Sequence, residues 1–321
     1  MSATAPGRRL PVSGTTLLTI GTLALATLVA LPILAVALNL FADSGGLWGE
    51  LAATVLPTYL INTVALLIGV GLLAGAMGTG AAWLVSMCEF PGRRVFEWAL
   101  LLPFAAPAYV LAYVYTDLLE FAGPIQTFLR DLFGWTRHDY WFPAIRSTPG
   151  AIVMLSLVVY PYVYLLGRAA FVSQSVAALE VSRTLGHGPW SSFFRVALPL
   201  ARPGVAAGLA LALMETLADF GTVEFFGVQT FTTGIYRTWF LRGSSEVAAQ
   251  LASILMIFVV AVMVLEHSSR GKARFASNTG RFLPLPRHQL KGLKATIAIT
   301  ACALPVFFGF ALPGAILLDL T

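Results

Sequence analysis

The sequence predicts an all-α membrane protein, a bundle of about seven transmembrane helices, on three observations. Of the 321 residues, 58% are hydrophobic and only 11% are charged, less than half the roughly 25% of an ordinary soluble chain. The apolar residues gather into seven runs, most of them long enough to cross a bilayer. The basic residues gather between alternate runs. So little charge leaves too few polar side chains to cover a globule, and lipid then serves as the main solvent.

A crossing helix needs about 20 apolar residues, because the hydrocarbon layer obliges the backbone to satisfy its own hydrogen bonds. Thr15–Phe41 is the first run. Arg8 and Arg9 precede it and Ala35-Val36-Ala37 resembles a cleavage site, but its length is about twice the ~7–15 residues of a secretory core. It reads as an uncleaved span. The second, Tyr59–Met87, carries Gly71, Gly75 and Gly78 beside Ala74 and Gly80, the small residues that let helix backbones approach closely in lipid. The third and fourth, Trp98–Tyr115 and Ala151–Leu166, are short and hold Pro103, Pro107 and Pro161. They are expected to be kinked helices inside the bundle. Gly204–Phe220, Val247–Leu265 and Ala295–Leu318 complete the set.

Orientation follows from the preference of Lys and Arg for the cytoplasmic side. With the N-terminus inside, 15 of the 20 basic residues are cytoplasmic and only Arg130, Arg137, Arg146, Arg237 and Arg242 lie outside. This also accounts for the net charge of +5 without nucleic acid. The outer segment Asp117–Pro149 contains Trp135, Tyr140, Trp141 and Phe142, which suit interfacial anchoring or the docking of an external partner.

Several chemistries are excluded. Cys88 and Cys302 have no CxxC spacing, and the four histidines no HExxH, so neither a metal site nor a bound cofactor is expected. No GxxxxGK[ST] or GxSxG is present, so the chain should neither hold the phosphates of ATP nor carry a nucleophile elbow.

Residues 178–203 form the most informative segment. It reads as two short helices hinged at Gly186, a residue suited to the end of a helix, with Pro189 in the first turn of the second. Trp190, Phe193, Phe194 and Ala197 recur at helical spacing, and Pro199 and Pro203 are expected to break the helix before the fifth span. Such a helix either lies on the membrane surface or projects a knob towards a partner protein. A Glu, a Gly six residues on, an aliphatic ten further and then Leu-Pro match Glu180, Gly186, Val196, Leu198 and Pro199. This pattern resembles the EAA signature of permease subunits of binding-protein-dependent ABC importers, with Val181 and Ser182 where alanines are usual.

The stretches Glu215–Gly227 and Thr230–Arg237 are similar to ferric-iron permeases within that superfamily, and the likeness covers roughly residues 55–265. Thiamine, sulfate and polyamine permeases share the scaffold. The resemblance implies a type I importer permease in a bacterial inner membrane, with Glu180, Gly186, Pro189, Trp190, Phe194, Val196, Leu198 and Pro199 coupling it to a separate ATP-binding subunit. It further implies an external substrate-binding protein, and a second permease half or a homodimer partner. Ferric-iron permeases carry two six-helix halves, each with an EAA segment. Here there is one such segment, so residues 1–266 are expected to be one permease domain, 267–294 a basic cytoplasmic linker, and 295–321 the first helix of an incomplete second half. A Leu-Pro pair (Leu31-Pro32, Leu312-Pro313) recurs in the first and seventh runs.

Glu215 and Asp219 lie four apart on the fifth span. Ionisable groups in lipid are costly and face a bundle interior or a wet cavity. They read as the lining of a cation path, or as a structural pair bonded to a neighbouring helix. A secondary transporter using these two groups as a relay, and a membrane-embedded enzyme, are the competing readings from other classes.

Overall fold

The computed structural model describes residues 12–42, 46–173, 189–270 and 287–319. Six of its helices are long and apolar enough to cross a membrane, or seven if one bent pair counts as a single span.

The first span is α1 (Val12–Leu38), whose described side chains are almost all exposed along its whole length. A short helix α2 (Leu47–Thr54) leads into α3 (Leu56–Met87). Together with α7 (Thr148–Val172) and α9 (Leu198–Ala218), α3 forms the core of the bundle. Glycine lets these backbones meet. A Cβ on Gly78 would lie 2.6 Å from Val163 Cβ and 2.8 Å from the Tyr160 carbonyl oxygen; one on Gly208 would lie 2.7 Å from Val163 Cα. Gly80, two residues beyond Gly78 in the same small-residue run, faces open space instead.

The third run is not one kinked helix. It divides into α4 (Arg93–Ala99) with a 3-10 turn at Leu102–Ala105, and α5 (Ala108–Leu119) continuing into α6 (Pro124–Phe133). The two arms meet at 89°. Pro107 is the cause: it drives the preceding Ala106 into extended backbone at φ −106°, ψ 122°, as a proline does to its predecessor. Pro161, by contrast, sits inside an unbroken 25-residue α7.

A π turn at Phe193–Ala197 links α8 (Pro189–Ser192) to α9, so the helix is continuous through Pro199 and Pro203. The expected break is absent for a physical reason. A helical proline clashes with the carbonyl four residues back, that of Arg195 for Pro199, and the wider π turn, closed by Leu198 N–H donating to the Phe193 carbonyl, loosens the backbone there; Pro203 sits inside α9 without such a turn. The same device recurs before Leu312-Pro313, where a π turn at Phe307–Ala311 joins α13 (Leu293–Val306) to α14 (Leu312–Asp319).

Between these lie α10 (Gly221–Phe225), α11 (Phe231–Phe240) and α12 (Ser245–Arg270). The α13–α14 helix packs onto the bundle: Ala298 and Cys302 are buried, Tyr115 Oη donates to the Phe308 carbonyl at 2.5 Å, and Gly309 sits over Pro103 and the Leu157 carbonyl. Pro161 deprives that same carbonyl of its helical donor. A two-residue parallel ladder is added to the helices, with Cys88 opposite His288 and Glu89 opposite Gln289. It ties the residues entering α13 to the end of α3.

The ion pairs fall into two groups that match the orientation read from the basic residues. Arg93, Arg168 and Arg287 converge on Glu89 and Glu97, all assigned to the cytoplasmic side. Arg146–Glu120, Arg237–Glu224 and Arg242–Glu50 join groups assigned to the outside. Single cysteines at 137 or 237 should therefore react with an impermeant maleimide added to intact cells, and cysteines at 183 or at the exposed position 94 should not. The background is low because Cys88 and Cys302 are both buried.

Candidate functional site

The site has a cytoplasmic and an outer part, joined by α9. At the cytoplasmic end, α8 and the π turn separate two adjacent rings. Neighbouring residues on a helix point about 100° apart, so Phe193 and Phe194 cannot share a face. Phe193 is buried, with its centroid 4.8 Å from that of Trp83 on α3 and 6.3 Å from Phe171 on α7. Phe194 packs edge-on to Phe193 at 4.7 Å and is 60% exposed. Ala197, four residues after Phe193, is buried; Val196 and Leu198 are half-buried; Pro199 is exposed. Pro189 and Trp190 belong to α8. Glu180 and Gly186 lie outside the described residues.

Sequence reasoning placed Phe193 with Trp190, Phe194 and Ala197 at helical spacing on one amphipathic helix, gave it no role of its own, and did not see the receptor that Trp83 and Phe171 form for it. The i, i+4 relation of Phe193 to Ala197 was the available signal: a small residue one turn on marks the face that meets another helix.

Beside this anchor lies the charged cluster. Arg93 is 6% exposed; its Nη1 donates to the Val85 carbonyl at 3.1 Å and lies 3.6 Å from Glu97. Arg168 pairs with Glu97, whose backbone carbonyl accepts from Tyr164 Oη at 3.0 Å. The ends of α3, α4 and α7 are thus fixed to one another next to the Phe193 socket.

At the outer end, Glu215 and Asp219 take different environments. Glu215 is exposed on the flank of α9. Asp219 is half-buried and its carboxylate accepts from Thr222 Oγ1 at 2.9 Å and from Val223 N–H at 3.0 Å, capping α10. Its carbonyl accepts from Thr232 Oγ1 at 2.8 Å. A capping box between Thr230 and Thr233 opens α11, and Asn62 of α3 donates to the Gln229 carbonyl at 2.9 Å. Thr222, Thr230 and Thr233 are buried and Thr232 is half-buried, so their hydroxyls form an internal hydrogen-bonded cluster beside Asp219; they lie within the stretches similar to ferric-iron permeases, but no role was read for them from the sequence. Arg237, one of the few outer basic residues, is held by both oxygens of Glu224 at 3.1 Å.

The outer segment contains α6 and a stack of Phe133, Trp135 and Tyr140 with centroids 4.5 and 5.5 Å apart. Arg130 and Arg137 lie over the Phe121 ring at 4.2 and 5.3 Å. Close by, Arg137, Arg146, Tyr140 and Trp141 border a recess of about 380 Å³. Thr136 donates through both its N–H and its hydroxyl to Asp139, holding that carboxyl below the usual range. No group of three metal-ligating side chains occurs among the described residues.

The chain is similar to several known proteins. The chain is 29% identical over 213 residues to the Fe(3+)-transport system permease protein FbpB 2 of Haemophilus influenzae, covering 66% of this chain and 38% of that protein. It is likewise 29% identical over 196 residues to the molybdenum transport system permease protein ModB of Escherichia coli, covering 59% of this chain and 82% of that one. The chain therefore spans well under half the length of the ferric relative. A chain in the crystal structure of a bacterial ABC transporter for the acidic polysaccharide alginate has the same fold, with a TM-score of 0.63 at 15% identity, covering 81% of this chain and 96% of that chain. A second alginate transporter structure aligns with a TM-score of 0.58 at 18% identity, over 84% and 98% of the two chains. The family model for binding-protein-dependent transport system inner membrane components matches residues 13–267, which take in α1 to α12 with both parts of the site, and the chain belongs to that family.

Proposed function

We propose that this chain is the membrane-crossing permease unit of an ATP-driven importer and performs no catalysis itself. The observation that carries the reading is the α8–α9 helix. It runs without a break from the turn that bears a buried anchor, Phe193, and the adjacent exposed ring, Phe194, to the acidic outer end at Glu215 and Asp219. A separate ATP-binding subunit docks on Trp190, Phe194 and the segment bearing Glu180 and Gly186. ATP can drive the bundle only if the two states of that subunit bind this segment differently, and a continuous helix conveys the difference to the outer end. An external binding protein delivers substrate beside the Arg137–Arg146 recess. A second permease unit, fused or separate, supplies the other wall of the path and covers exposed faces such as α1.

Iron(III) is the favoured cargo, because Glu215 and Asp219 place two carboxylates one turn apart at the outer end and a hard cation prefers oxygen ligands. Molybdate or sulfate is the second reading, favoured by a relative that covers more of its own length, the molybdenum permease. Uptake of labelled iron(III), molybdate and sulfate into cells expressing the transporter separates the two.

On the iron reading, Glu215→Gln should reduce iron uptake several-fold with unchanged amounts of folded protein, since the side chain is exposed. Asp219→Ala should also lower the folded fraction, because a lost cap costs about 1 kcal/mol. If Glu215→Gln transports iron normally, the carboxylate does not line the path.

A further inference from the structure

We infer that the cavity between α3, the Phe193 turn and the start of α13 is a binding site for one anionic phospholipid of the inner leaflet. The cavity measures about 340 Å³ and is lined by Gly80, Trp83, Phe193, His288, Lys294 and Ile297 among others. That volume lies within the range of small-ligand sites, about 300–1,000 Å³.

Position and chemistry select the occupant. Gly80 precedes Met87, the last residue of α3, by seven residues, or about 10 Å of helix, so the cavity reaches from the cytoplasmic boundary into the depth of the inner acyl chains. The Trp83 and Phe193 rings that line it pack on each other with centroids 4.8 Å apart, and Gly80 has no atom within 4 Å of where its Cβ would stand, so one wall is open to a chain. Ile297, 59% exposed, forms an apolar lip. At the cytoplasmic mouth stand Lys294 and His288, with Lys291 three residues before Lys294. No carboxylate lines the cavity among the described residues. An apolar slot with a cationic mouth at this level matches a lipid with an anionic headgroup, as basic pockets between membrane helices on the cytoplasmic side do. A larger recess between α9 and α12, of about 660 Å³, has Glu266 beside His267 at its polar end and lacks that charge match.

The occupant touches two elements of the coupling region at once: Phe193 of the π turn and the ladder residue His288. Seated there, a phospholipid fills the space between the α8–α9 anchor and α13. The inference rests on the orientation of the helices and not on the transport reading, and its test needs neither ATPase nor substrate.

The full chain, reconstituted in an equimolar mixture of phosphatidylglycerol and phosphatidylethanolamine and released into mild detergent, is analysed by native mass spectrometry. One phosphatidylglycerol per chain should survive delipidation in preference to phosphatidylethanolamine. Gly80→Leu, which puts a side chain into the slot, should lower that retention about tenfold. Lys294→Gln, on an exposed side chain, should abolish the preference for phosphatidylglycerol while leaving the fold intact, so the test stands even if Gly80→Leu proves unstable. Absence of a retained lipid, equal retention of the two lipids by the unaltered chain, or unchanged retention in a folded Gly80→Leu protein would overturn the assignment.

Discussion

Phe193→Ala and Phe194→Ala, one residue apart, are expected to fail in opposite ways. Phe193 is 7% exposed and packed against Trp83 and Phe171, so its removal leaves a cavity at the root of α9. Losing a buried Phe costs about 3–5 kcal/mol, and the thermal stability of the detergent-solubilised protein should fall accordingly. Phe194 is mostly exposed. Its replacement should stay within about 0.5 kcal/mol of the unaltered stability while transport collapses, because aromatic anchors carry a disproportionate share of interface energy. Thermal melts alongside uptake assays make the comparison. Loss of stability in both variants alike would mean that the two rings are not divided between bundle and surface as described.

Gly78→Ala and Gly80→Ala make the second pair. The Cβ at position 78 would press on Val163 Cβ and the Tyr160 carbonyl at 2.6 and 2.8 Å, and at position 80 it would meet nothing within 4 Å. Overpacking a core costs about 1–3 kcal/mol, and here one of the obstructing atoms is backbone and cannot turn aside. The yield of monodisperse Gly78→Ala protein should drop several-fold. Gly80→Ala should be neutral or slightly stabilising, since alanine favours helix over glycine by about 1 kcal/mol. Equal yields would show that α3 and α7 do not approach at Gly78.

These pairs mark where the sequence is informative and where it is not. Apolar run length follows from bilayer thickness, so the spans at Thr15–Phe41, Tyr59–Met87 and Val247–Leu265 could be read from composition, and each corresponds to a long helix in the structure. The side of the membrane rests on a charge asymmetry summed over many residues, and the labelling of single cysteines tests it. What a proline does is decided by neighbours. Pro107 breaks the third run, Pro161 is absorbed by α7, and Pro199 is accommodated by a π turn; all three look alike in the chain. The small-residue run on α3 announced close packing, but which glycine touches depends on the register of α3 against α7. Likewise, the aromatics of the coupling segment were visible as a group, while their division between core and surface depends on Trp83 and Phe171, about 110 and 22 residues away. The basic stretch before α13 reads as linker, yet its last residues pair with Cys88 and Glu89. A two-residue ladder leaves no periodicity to find.

The most direct test of the account places a photo-crosslinking amino acid at position 194 and irradiates intact membranes from cells in which the transporter is active. The exposed end of α8–α9 should capture a single protein containing a GxxxxGK[ST] phosphate-binding loop, with a yield that changes between ATP-depleted and ATP-replete membranes. The same probe at position 193 should instead react within the chain, at Trp83 or Phe171. Labelling of lipid alone from position 194, insensitive to ATP, would contradict the account: the segment would then be a surface helix, and energy would have to enter the bundle elsewhere.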